Sequence, residues 1–210
     1  MSSIYADSRF FHNAVKEALA GLNRAMSALS FSDPAMLVVF GMQVAARALR
    51  LEKDVGRRAP YGAYAIMRAI ARNLRPETRG EYAQEVFDLC MCFERPPALN
   101  SLTLAACRSV LHVGFAATSI VAPGFKRPGT TFGVEYGIRD ALSEACTAAA
   151  WSVYPSYDDL KIVDWRCLTD TEAASRDASD QAYRTELLKQ IRGTSWLMKQ
   201  DENATRCISQ

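Results

Sequence analysis

Apolar residues recur along this chain at steps of three and four. Phe11, Val15, Leu19, Leu22, Met26 and Leu29 form one such series, the spacing that stacks side chains on one face of an α-helix. They predict a first helix near residues 7–30. Asp33-Pro34 predicts the next start, with the aspartate as cap and the proline in the first turn. This second helix runs to about Asp54, and Gly56 helps to end it. Pro60 opens a third helix, with Ile66, Ile70 and Leu74 on one side and Arg68, Arg72 and Arg75 on the other, since each residue advances about 100° around the axis. Pro76 ends it. Thr78-Arg79-Gly80-Glu81 matches a capping box and predicts a fourth helix that buries Tyr82, Val86, Leu89 and Phe93 and stops at Pro96-Pro97.

A fifth helix, near Asn100 to Val121, is apolar on almost every side, which marks a central, buried element. Residues 122–131, with two prolines and two glycines, read as a loop. A sixth helix follows, with Val134, Ile138, Leu142, Ala145 and Ala149 facing inward, and Tyr154-Pro155 breaks it. A short helix from Ser156–Asp159 to Cys167 and a last one from near Asp170 to about Met198, with Leu187, Leu188 and Ile191 as its apolar residues, complete the series. Period-two alternation is absent over any useful length, so no strand is expected. The expectation is an all-α, single-domain bundle of about seven or eight helices around an apolar central helix at about 100–121. The helical domain covers residues 1–199, and residues 200–210 form a C-terminal tail.

Composition leaves this picture intact. Of 210 residues, 49% are hydrophobic and 23% charged, the balance of a chain that buries a core. None of the six cysteines forms a CxxC pair, and most lie inside apolar helical patterns, which fits a reducing compartment. No secretory h-region is visible at the N-terminus. The longest apolar candidate for a membrane span, Leu99 to Pro123, is interrupted by Arg108 and His112. A cytoplasmic protein with no membrane partner is expected.

The signatures of chemistry are sparse. The two histidines, His12 and His112, belong to no HExxH or ExxH pattern, and Cys90 and Cys92 diverge on a helix, so neither a metal nor another cofactor is expected. There is no GxSxG elbow and no glycine-rich phosphate cradle; no small-molecule substrate is evident. Gly124 to Gly129 is a basic, glycine-flanked loop that reads as an exposed turn. Asp140 and Glu144, and Glu135 and Arg139, stand four apart on one helix, and none of these places a carboxylate in an obviously apolar setting. Arg108-Ser-Val-Leu-His112 resembles the Arg-then-His motif of helical HEPN ribonucleases, with the two residues set closer together. That resemblance implies only that Arg108 and His112 are the pair to test for RNA cleavage.

Charge is what distinguishes the sequence. Its net value is only +2, yet Arg47 to Arg79 holds nine basic and three acidic residues, whereas Tyr157 to Asp180 holds seven acidic and three basic. Arginines number 19 against six lysines. Arg68, Arg72 and Arg75 form one ridge on the third helix, with Arg79 just beyond Pro76, and Arg47, Arg50, Arg57 and Arg58 near in sequence. Tyr61 and Tyr64 accompany them. Arginine combines charge, planarity and an apolar stem, and is enriched at interface hot spots. The expected function is therefore non-enzymatic: an inhibitor, immunity, adaptor or assembly role in which this face binds a protein partner or copies of the same chain. The alternative is a nucleic-acid-coating or RNA-binding protein that sets the arginines on phosphates and stacks tyrosines on bases. A third reading is a helical nuclease centred on Arg108 and His112.

Overall fold

The start signal at Asp33-Pro34 works through a side chain: the Met36 N–H donates to Asp33 Oδ1 at 3.0 Å, satisfying a first-turn amide that has no intrahelical partner. The helix it begins is one of seven among the residues described by the computed structural model, which are 20–24, 26–29, 33–54, 60–93, 101–128, 133–153, 174 and 177–194. They are α1 (20–24 and 26–29), α2 (Pro34–Asp54), α3 (Tyr61–Asn73), α4 (Ala83–Phe93), α5 (Ser101–Ala117), α6 (Val134–Ser152) and α7 (177–194), with a 3₁₀ turn at Pro76–Thr78. No described residue is in a strand. Arg57, Arg58, the proposed helix ending at Cys167 and the tail at 200–210 lie outside the described residues, as do Phe11, Val15 and Leu19.

The chain is an all-α bundle built around α5. That helix packs against α2, α3, α4 and α6. Its residues are buried almost throughout, Arg108 being exposed and His112 half-buried. A helix that is apolar on every side can bury that surface only by taking neighbours on every side. Leu22, Met26 and Leu29 of α1 join the same core, as do Val134, Ile138, Leu142 and Ala145 of α6. The α5–α6 contact is close because the residues are small: a Cβ on Gly137 would fall 2.9 Å from the His112 carbonyl oxygen. Buried Ser109 ties the pair by donating to the Ala141 carbonyl at 2.8 Å.

Two expected features are corrected. Thr78 and Glu81 do not cap α4, which begins at Ala83. The Thr78 hydroxyl instead donates back to the Arg72 carbonyl at 2.9 Å. The buried side chain of Asn73 does the joining: its amide donates to the Ala117 and Ile120 carbonyls, and its oxygen accepts from the Tyr82 N–H. One residue thus links the ends of α3 and α5 to the start of α4. Gly80 completes the turn at φ +85°, where an added Cβ would fall 2.1 Å from the Ala122 nitrogen, so only glycine fits. On α7 the inward residues are Glu186, Leu187, Gln190 and Thr194, while Leu188 is exposed. The buried face is rotated towards polar side chains that α2 and α6 meet: Glu186 takes Arg47, and the Gln190 amide nitrogen donates to the Leu142 carbonyl at 3.1 Å.

By length and composition, α2 is the one described helix apolar enough to cross a membrane, and it is half buried inside the bundle. Leu37, Val38, Val44 and Leu49 face inward, Met42 is partly buried against the core, and Val39 is exposed. Val39 and Met42 contribute apolar surface on the side of α2 beside α3.

Candidate interaction surface

The face of α3 that misses the core carries Tyr61, Tyr64 and Arg68, all exposed. Tyr61 is 76% exposed, and the Arg68 guanidinium lies over its ring, 5.1 Å from the centroid. This stacking holds the planar cation in place without neutralising it. No carboxylate comes within salt-bridge distance of Arg68, Arg75 or Arg79 among the described residues.

Arg72 behaves differently from the rest of the expected ridge. It is half-buried, donates to Glu85 of α4 and lies 5.2 Å from the Tyr82 ring centroid. Four residues on from Arg68, it turns about 40° further round the helix, which brings it to α4. Arg75 is past the helix end, in extended backbone at φ −61°, ψ 139°, as the residue before Pro76 must be. The single ridge of helical spacing is therefore three separate positions: an exposed crest at Arg68, a tie to α4 at Arg72, and an exposed cation at Arg75.

Arg47 and Arg50 belong elsewhere. Arg47 donates through Nε and Nη2 to Glu186 Oε1, at 3.2 and 2.9 Å, and fastens α2 to α7. Arg50 is exposed and, with Asp54, Gln181 and Lys189, lines a cavity of about 570 Å³ between α2, α6 and α7. This cavity mixes both signs of charge, so it presents no single-sign field.

Beside the α3 crest lies a groove of about 470 Å³. One wall is Val39, Met42, Gln43 and Ala46 of α2; the other is Met67, Ala71, Leu74 and Arg75 at the end of α3. The groove exists because α2 and α3 each pack on α5 more than on one another. Its lining holds one cation and no carboxylate. The spacing of the arginines pointed to α3 but not to this groove. The available signal was the run Met36-Leu37-Val38-Val39, which has more apolar residues than one buried face can use.

Arg108 and His112 face a row of acids on α6. Arg108 Nη1 is 3.9 Å from Glu144 Oε1, and His112 Nδ1 is 3.8 Å from Asp140 Oδ2. Glu135 continues the row by pairing with Arg139 at 2.5 Å and accepting from the Ser27 hydroxyl at 2.9 Å. Burial lowers the His112 pKa below its usual value of 6.5, against the opposing pull of Asp140, while the nearby Arg108 lowers it further. Burial raises Glu144. Both members of the Arg-then-His pair are thus matched by carboxylates of their own chain.

Besides Glu186, which is paired with Arg47, the interior among the described residues holds Glu52, a carboxylate the sequence pattern did not single out. Glu52 is 1% exposed, and neither of its oxygens has a hydrogen-bond partner among the described residues. It continues the inward stripe of Ala45 and Leu49. Its charge and, above all, burial push the Cys107 thiol up to about 12; burial pushes Cys146 to about 12 as well. Both sulfurs stay protonated at neutral pH, and a thiol is a poor nucleophile. Of the described cysteines, only Cys92 is exposed. The Lys126-Arg127 loop is an exposed turn, with Gly124 at φ +87°. Among the described residues, no group of three or more His, Cys, Asp or Glu side chains converges on a metal position. Comparison with known proteins finds no matching family model, no matching curated protein and no matching solved structure.

Proposed function

We propose that this is a non-enzymatic interaction protein that binds another protein, or a copy of itself, through the exposed face of α3. The observation that carries this reading is the crest of Arg68, Tyr61 and Tyr64, with Arg75 at its far end: exposed aromatics beside cations that no acid neutralises among the described residues. Other arginines are used inside the chain. Arg47, Arg72 and Arg139 all have carboxylate partners. Residues that combine an apolar body with a polar tip, left unpaired, suit an interface whose partner supplies the missing acids.

The test is charge reversal. The double variant Arg68→Glu/Arg75→Glu should lose the partner captured by the wild-type chain while its Tm stays within about 2 °C, because neither arginine holds the fold together. Arg72→Glu should do the opposite to stability: it sets a second acid against Glu85 and lowers the Tm. Unchanged capture by the double variant would remove the α3 face from consideration. A shift of single-stranded RNA that weakens steeply with salt would transfer the face to phosphates.

A further inference from the structure

We infer that the groove between α2 and α3 receives one amphipathic helix of the partner protein, with carboxylates flanking its apolar stripe. This rests on the reading that the α3 face is an interaction surface, and it names what that surface holds.

The walls are two helices with an open seam between them. Val39 and Met42 on one side and Met67 and Leu74 on the other supply the apolar surface. Ala46 and Ala71 put small side chains on both walls, so an incoming helix could approach them closely. Val39 is 41% exposed, so water covers apolar surface that a docked helix would cover instead. Such a helix anchors through side chains at successive turns. From Val39 to Ala46 the wall runs about 10 Å at the helical rise, enough to meet roughly two turns of an occupant. Methionines on both walls adapt to the shape of the incoming side chains.

Charge selects the occupant. Arg75 closes one end of the groove, Arg68 stands on the adjoining crest, and no carboxylate lines the walls. A basic helix would meet unpaired cations of its own sign. A nucleic-acid strand could satisfy the arginines, but its phosphates would gain nothing from Val39, Met42 and Met67 and would leave them wet. A helix with leucine-type anchors and flanking glutamates satisfies both features.

The experiment uses the full chain and three fluorescent, hydrocarbon-stapled helices of about 14 residues, a length of about four turns. All carry leucines at helical spacing. Their flanking positions are Glu in the first, Gln in the second and Lys in the third. Anisotropy should give the order Glu, then Gln, then Lys, with the extremes at least about tenfold apart, the effect of a few partly exposed ion pairs. Ala71→Trp fills the groove from an exposed position and should weaken the Glu helix at least about tenfold, with circular dichroism unchanged. Arg75→Glu should narrow or reverse the order. Failure of all three helices to bind, equal binding of the Glu and Lys forms, or indifference to Ala71→Trp each overturns the inference. So does a dimer in light scattering that Ala71→Trp dissolves, which would make a second copy the occupant, or an RNA oligonucleotide that competes for the same groove. If the Arg68→Glu/Arg75→Glu variant loses its captured partner while no helix binds, the interaction face stands and the groove assignment alone falls.

Discussion

Glu52 and Asn73 are both polar side chains sealed inside the bundle, and they have opposite consequences. Asn73 uses both ends of its amide, on Ala117, Ile120 and Tyr82, so its burial is compensated. Glu52 has two buried oxygens and no hydrogen bond among the described residues, and an unsatisfied buried polar group costs about 1–3 kcal/mol. Glu52→Met, similar in length and free of that cost, is therefore expected to stabilise the protein by about 1–3 kcal/mol. Each kcal/mol raises the Tm by about 2–4 °C in a chain of this size. A lower Tm for Glu52→Met in thermal unfolding would mean that the carboxyl group supports the fold. Neither role was legible beforehand, for a physical reason. Thr78 to Glu81 satisfies the local rule for a cap, but the competing partner, Asn73, reaches the same turn from five residues before Thr78 and closes it through α5. Local patterns do not contain contacts of that kind.

At the level of helices the pattern was far more informative. The apolar stripe of α6, the Asp33 cap of α2 and the all-round apolar character of α5 each correspond to what those helices do, because burial against one neighbour needs one stripe and burial against four needs the whole circumference. The arginine ridge was harder to read because helical spacing was extended past the end of α3, where Pro76 pulls Arg75 out of the helix. The α5–α6 pair leads to a pH prediction. His112 is easier to protonate when unfolded than when folded, since burial, aided by Arg108 and opposed by Asp140, lowers its pKa in the bundle. Its stabilising contribution is present above the usual 6.5 and is lost as the pH falls below that value, where the unfolded state binds more protons. Glu144, raised by burial, acts in the opposite sense. It favours the folded state as the pH falls towards the usual carboxyl value of 4.5. Between about pH 7.5 and pH 5.5 the Tm should therefore fall, and His112→Gln should flatten that fall. An identical slope in the variant would show that His112 does not couple protons to the α5–α6 contact.

Among the described residues, part of the charge is used to tie helices together. Ion pairs fasten α2 to α7, α3 to α4 and α5 to α6, whereas the crest of α3 sets exposed tyrosines and cations beside an apolar groove. That contrast is the basis for reading the bundle as a scaffold for one surface. The most direct measurement places a photo-crosslinking amino acid at Tyr64, on the crest, and in a separate chain at Tyr136, which is exposed on α6. After irradiation in the cells that make the protein, the Tyr64 position should yield a discrete protein adduct by mass spectrometry, and the Tyr136 position should not. No adduct from Tyr64, the same adducts from both positions, or an adduct to nucleic acid alone would contradict the account.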